Sequence, residues 1–188
     1  MKVRDGITAA ALVLLAAGCG GTPSPSEVPS TAPAGSVPTR PVVLSLDSVN
    51  PCSLLTADQR TQLKVRAGTQ DTDTSGPLQG PSCTWFSVAQ HPADGYDGTV
   101  VLNHGADFAR GGDLVMVDGF GALTTTSLGS DPNYFCGLLV DVASGQSLSA
   151  IYSNNAHDYP GMNRQLACSK AQQLASAMLA TLRAQVHK

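Results

Sequence analysis

The sequence predicts an α+β fold, a mostly antiparallel β-sheet packed against a long C-terminal helix and a short N-terminal helix, with two disulfides. Three observations carry this expectation. First, residues 162–186 are rich in Ala and Leu, hold no Pro or Gly, and repeat Leu174, Met178, Leu182 and Val186 every four residues beside Ala167, Ala171, Ala175 and Leu179. Apolar residues at that spacing share one side of a helix. Second, short strand-like runs at 82–89, 99–103, 114–117, 122–127, 134–142 and 147–152 are separated by Gly, Asp or Pro at hairpin distances. All nine aromatic residues, from Trp85 to Tyr159, fall in this part of the chain. Third, Cys52, Cys83, Cys136 and Cys168 form an even set once Cys19 is set aside.

The chain opens with a segment of a different kind. Lys2 and Arg4 precede an apolar run over 7–17 that ends in Leu15-Ala16-Ala17-Gly18-Cys19. A basic start, a short apolar core and small residues at the cut site make a secretory leader, 1–18. The run is too short to span a bilayer, which takes roughly twenty apolar residues. Cys19 follows the small pair Ala17-Gly18 directly, where its thiol can receive a diacylglyceryl group, and it is the expected lipidation site. The expected address is therefore the outer face of the cytoplasmic membrane, reached through a lipid anchor.

From Gly20 to about Leu44, Pro23, Pro25, Pro29, Pro33, Pro38 and Pro41 are interleaved with Ser, Thr, Gly and Ala, without an aromatic. Such a stretch cannot bury enough apolar surface to offset its ordering entropy. Residues 19–46 are thus expected to be a lipidated tether, whose span 20–44 has a reach of about 75 Å at roughly 3.1 Å per residue. Residues 47–188 remain as one globular domain, large enough for a single core. Within it, Thr56-Ala57-Asp58-Gln59 has the form of a capping box and predicts a helix over 57–65. The span 68–81 is rich in Thr, Asp, Gly and Pro and is expected to be a surface loop.

Composition excludes several functions. Charged residues make up 13% of the chain, low against about 25% in ordinary domains. The formal charge is −3 and no basic patch is present, so nucleic acid is not an expected partner. Glu27 is the only glutamate and lies in the tether, so paired-glutamate chemistry has no basis in the domain. Four scattered cysteines without a histidine at ligand spacing do not resemble a zinc site, and an exported chain favours disulfides. Three pairings are open. Sequential pairing, Cys52 with Cys83 and Cys136 with Cys168, is favoured because it closes two loops of nearly equal size, enclosing 30 and 31 residues. Each closure of that size is worth about 3–4 kcal/mol in the loop-entropy account.

The ordered set Pro51-Cys52-Ser53-Leu54-Leu55-Thr56, Cys83-Thr84-Trp85, Gly119-Phe120-Gly121-Ala122, a strand cysteine at Cys136, and Ala167-Cys168 opening a long helix resembles the actinobacterial lipoprotein family called domain of unknown function 3558. The resemblance spans nearly the whole domain. It implies a cell-envelope lipoprotein with two disulfides and implies no established reaction.

No catalytic constellation stands out, and neither a cofactor nor a metal is expected. His91, His104, His157 and His187 are dispersed, there is no GxSxG elbow, and Gly119-Phe120-Gly121 lacks the third glycine and following helix of a dinucleotide loop. The last reads as a turn between strands. Asp94, Asp97, Asp107, Asp113 and Asp118 lie among glycines but do not follow the spacing of a calcium loop. The expected function is a non-enzymatic domain that binds an envelope lipid, glycan or protein outside the membrane. The alternative is an extracytoplasmic hydrolase built from His104 or His157 with an aspartate. Burial of Trp85, Phe108, Phe120 and Tyr152 separates a plain core from an aromatic-lined cleft.

Overall fold

Each helical element starts where a side chain satisfies its otherwise open N–H groups. Asn50 Oδ1 accepts from the Cys52 N–H at 2.9 Å and opens a 3-10 turn, Pro51–Leu54. Thr56 and Gln59 then form the reciprocal capping box at the start of α1 (Ala57–Leu63), with the Gln59 N–H donating to Thr56 Oγ1 at 3.3 Å and the Thr56 N–H to Gln59 Oε1 at 2.8 Å. Asn163 Oδ1 accepts from the Leu166 N–H at 2.9 Å where α2 (Arg164–Val186) begins. α1 is shorter than the 57–65 expected. Lys64 turns left-handed with φ 55°, and Val65 pairs across to Ser87 instead of continuing the helix.

These features come from a computed structural model that describes residues 38–73, 78–89, 97–105, 112–125, 131–154 and 161–186. The strands are β1 (Thr69–Asp73), β2 (Gly80–Trp85), β3 (Asp97–His104), β4 (Leu114–Val117), β5 (Phe120–Thr125), β6 (Phe135–Ala143) and β7 (Gln146–Ser153). They form one seven-stranded sheet in the order β1-β2-β3-β7-β6-β5-β4, with every neighbouring pair antiparallel. Two meanders, β1 to β3 and β4 to β7, are joined by the pairing of β3 with β7. The α+β class, the antiparallel sheet, both helices and both disulfides are as the sequence predicts.

β1 is the clearest departure, since it lies within 68–81, expected to be a loop. Its side chains, Thr69 to Asp73, are mostly exposed and show no alternation. The strand exists because its backbone completes the ladder of β2, a tertiary cause that no local pattern carries. A second correction concerns the tether. Leu44 and Leu46, assigned to 19–46, are fully buried in the core, and their N–H groups donate to Val142 O at 2.9 Å and Gln146 Oε1 at 2.7 Å. The chain separates into a unit Met1–Ala34, outside the described residues, and a compact unit Gly35–Lys188. The folded part therefore begins before residue 47.

One sheet face carries the core. Cys83, Trp85, Val100, Leu102, Cys136, Leu138, Val140, Leu148, Ala150 and Tyr152 are all buried with Leu174, Met178, Leu179 and Leu182 of α2. α2 lies on β6 and β7. The expected stripe on α2 is buried except for its last member, Val186, which is 51% exposed. The disulfides tie the helical elements to this face. Cys52 of the 3-10 turn is bonded to Cys83 of β2, and Cys168 of α2 to Cys136 of β6. Trp85, Phe120 and Tyr152 are fully buried, so these three belong to the core; Phe108 lies outside the described residues.

Candidate functional site: a polar rung on the second face of the sheet

The period of two along a strand sends alternate residues to opposite faces, so the partners of the core residues define a second face. Across β3, β7 and β6 the register places Asn103 opposite Ser147, and Ser147 opposite Asp141. These three residues form one rung, with cross-strand neighbours about 5 Å apart at Cβ. The next rung holds Val101, Ser149 and Leu139. The face is polar in composition but not solvated. Exposure is 2% for Asn103, 2% for Ser147, 1% for Ser149 and 7% for Asp141.

Asp141 is the unusual member, a carboxylate inside the apolar strand Phe135–Ala143, where every residue is buried. Arg40 answers it from the segment before the first helix, with Nη2 2.7 Å from Asp141 Oδ1. The pair cancels its own charge, which leaves the rung electrically neutral. Asn103 donates from Nδ2 to the carbonyls of Val101 and Ser147, at 3.3 Å each. Its Oδ1, the Oγ atoms of Ser147 and Ser149, and Nε of Arg40 are buried without a hydrogen-bond partner among the described residues. Thr125 Oγ1, farther along the same face, is in the same condition. A buried polar atom left unpaired costs about 1–3 kcal/mol, so a concentration of them on one face is a place where hydrogen-bonding capacity is held unused.

Among the described residues, two clefts open on the outer surface. One, of about 270 Å³, lies between β4 and α2 and is lined by Met116, Asp118, Gln172 and Ser176 among others. The other, of about 380 Å³, lies between α1 and the end of α2, with Thr56, Gln59 and Thr181 in its wall. Neither holds a histidine, and Asp118 is already bound by the Ser176 hydroxyl, while the Arg183 guanidinium donates to its carbonyl at 2.6 Å.

His104 is half exposed, with Nδ1 4.0 Å from Asp47 Oδ1. Ser45 Oγ donates to the other oxygen of the same carboxylate at 2.8 Å. The aspartate thus stands between serine and histidine, an order in which the imidazole cannot take the serine proton. His91, His157 and His187 lie outside the described residues. Of the acidic group, Asp94 and Asp107 also lie outside them, and the rest are held apart by separate partners. Asp97 accepts from the Ser87 N–H at 2.8 Å, Asp113 lies 3.8 Å from Arg164, and Asp118 occupies the β4–β5 turn with φ 49° before Gly119 at φ 85°. That turn is the strand connection expected of Gly119-Phe120-Gly121. No group of three potential metal ligands occurs among the described residues.

The rung was not anticipated from sequence. An aspartate within Leu138-Leu139-Val140-Asp141-Val142 and the alternation Ser147-Leu148-Ser149-Ala150 were the available signals. Cys19 lies outside the described residues, and no helix among them is long and apolar enough to cross a membrane. Two disulfides are compatible with a domain outside the cytoplasm. Neither a curated protein nor a solved structure gives a significant match. The family described as protein of unknown function (DUF3558) matches residues 14–181, and the chain belongs to that family.

Proposed function

We propose that the chain is an envelope lipoprotein, anchored through Cys19 to the outer face of the cytoplasmic membrane, whose domain binds a ligand or partner there without catalysing a reaction. The anchor rests on the leader, on the position of Cys19 after Ala17-Gly18, and on the odd count of cysteines, since the other four pair among themselves. The family match begins at residue 14 and so includes Cys19, which supports this reading. The observation that carries the binding role is the rung of Asn103, Ser147 and Asp141 with its unpartnered buried atoms.

Binding is tested by incubating the purified chain with envelope lipid, glycan and protein fractions and measuring its melting temperature, because a ligand of the folded state stabilises it by mass action. At least one fraction is expected to raise the melting temperature. No shift with any fraction, together with no cross-linked partner in cells, refutes a binding role. For the anchor, Cys19→Ala is expected to release the chain from the membrane fraction with its domain folded, and unchanged partitioning refutes it.

A further inference from the structure

We propose that the free edge of β4 is an interface between two copies of this chain, paired antiparallel about a two-fold axis. The sheet ends in β4 on one side and in β1 on the other, and the two edges differ in kind. β1 is polar throughout, with Asp71 and Asp73 along it, and charges on an edge strand discourage pairing with another chain. β4 reads Leu-Val-Met-Val, without charge or proline, and its register with β5 is uninterrupted. Leu114 and Met116 are 46% and 51% exposed there.

The direction of the β4 backbone follows from its pairing with β5. The Thr124 N–H donates to Asp113 O at 3.0 Å, and Val115 and Val117 stand opposite Ala122 and Phe120. Hydrogen-bonded residues alternate along an antiparallel strand, so Asp113, Val115 and Val117 turn their backbone groups toward β5. The N–H and C=O of Leu114 and Met116 point away from it. The two residues with exposed apolar side chains thus also carry the open backbone groups, and among the described residues no strand covers them.

A second β4 fits this edge in one register. With Val115 opposite its own copy on the axis, Leu114 meets the partner's Met116, and Met116 the partner's Leu114. Every outward N–H and C=O of both strands is then used, and Leu packs beside Met across the pair. A shift of the register by two residues leaves Leu114 or Met116 without a strand residue opposite. Charge agrees with this arrangement. Antiparallel strands bring the Asp113 end of one copy beside the Asp118 end of the other. Asp113 lies 3.8 Å from Arg164, and Arg183 donates to the Asp118 carbonyl, so each end joins two carboxylates with two guanidiniums. Between the ends, the α2 wall of the cleft beside β4 is Ser169, Gln172, Gln173 and Ser176, all uncharged. The interface stands independently of the binding role above.

The test uses the full chain. In the proposed register Val115 and its copy form a non-hydrogen-bonded pair with Cα atoms about 4.5 Å apart, within reach of a disulfide. Val115→Cys is therefore expected to give a disulfide-linked dimer on non-reducing gels after mild oxidation in cells. Thr72→Cys on the β1 edge is expected to give none. Co-expressed Leu114→Cys and Met116→Cys chains are expected to link to each other. Because the edge is four residues long, the dimer of the purified chain is expected to be weak and reversible, seen by sedimentation velocity between about 10 μM and 1 mM. Met116→Lys is expected to weaken it about tenfold or more at an unchanged melting temperature of the monomer, since that side chain is already half in solvent. Met116→Pro, which removes an outward N–H and leaves the β5 pairing intact, is expected to do the same.

The proposal is overturned if the chain stays monomeric over this range, if Val115→Cys forms no linked dimer, or if Thr72→Cys links copies as readily. It is also overturned if the dimer survives both Met116→Lys and Met116→Pro. Linkage of Val115→Cys to a different protein alone refutes the pairing of copies and assigns the edge to that partner's extended segment.

Discussion

Removing the disulfides is the perturbation whose magnitude the fold states most directly. Cys52–Cys83 and Cys136–Cys168 join residues 31 and 32 positions apart. With a loop entropy of about −2.1 − 1.5R ln n cal/mol/K, each closure stabilises the folded state by about 3.7 kcal/mol at 25 °C. Cys83 and Cys136 are also buried, so Cys→Ala at these positions loses roughly a further 1 kcal/mol of packing. Each pairwise Cys→Ala variant is expected to lose about 4–5 kcal/mol and to melt on the order of 10–15 °C lower. The two loops do not overlap in sequence, so their losses should add. Removing both takes away about 8–10 kcal/mol, comparable to the whole stability of a domain of this size, and the variant lacking all four cysteines is expected to be unfolded at 37 °C. Urea titration followed by fluorescence of Trp85, the only tryptophan and fully buried, measures the losses. A loss below about 1 kcal/mol for either pair, or a folded four-cysteine variant, refutes the loop-entropy reasoning.

Three further outcomes follow from single contacts. Arg40→Met leaves the Asp141 carboxylate buried without its cation; because Arg40 is 30% exposed, the loss is expected near 2–3 kcal/mol rather than the upper end for buried pairs, with Asp141→Asn restoring much of it in urea melts. Gly68→Ala would press a methyl group into Cys83 Sγ and place it 2.6 Å from Trp85 Nε1, so a loss of about 1–3 kcal/mol with altered tryptophan fluorescence is expected, and a neutral outcome contradicts that packing. Burial raises the Tyr152 phenol above its ordinary value of 10.0; Asn154, donating to the hydroxyl, acts in the opposite direction, and Asp97 adds to the rise. The unfolded chain then releases this proton at lower pH than the folded one, so stability is present below pH 10 and falls as pH rises through it. Tyr152→Phe is expected to flatten that alkaline decline, and an unchanged slope in denaturation measured between about pH 9 and pH 11 refutes the assignment.

The sequence by itself determined the features with local causes. α2 is legible because its apolar residues recur at helical spacing, and α1 because Thr56 and Gln59 satisfy each other's backbone within four residues. The strands β4 to β7 are legible as short runs separated by Gly, Asp or Pro, with Asp118-Gly119 between β4 and β5 and Ser144-Gly145 between β6 and β7. Family membership is carried by short motifs in a fixed order. Other features exist only through distant partners. β1 is a strand because β2 lies beside it, although its own residues carry no pattern. Leu44 and Leu46 belong to the core through contacts about a hundred residues away, and a proline-rich context conceals them. The sequence left three cysteine pairings open and favoured the sequential one, and the fold adopts it, tying the 3-10 turn and α2 to the sheet.

The candidate site is the extreme case of this division. Asn103, Asp141 and Ser147 are unremarkable where they stand in the chain, and Arg40 is separated from Asp141 by 101 positions. Antiparallel register places the first three on one rung, and burial of that rung gives their unpaired atoms an energetic meaning they would not have in water. Side-chain chemistry was present in the sequence; which groups face each other, and which are shut away from solvent, was decided only by the strand order, the register and the packing around the sheet.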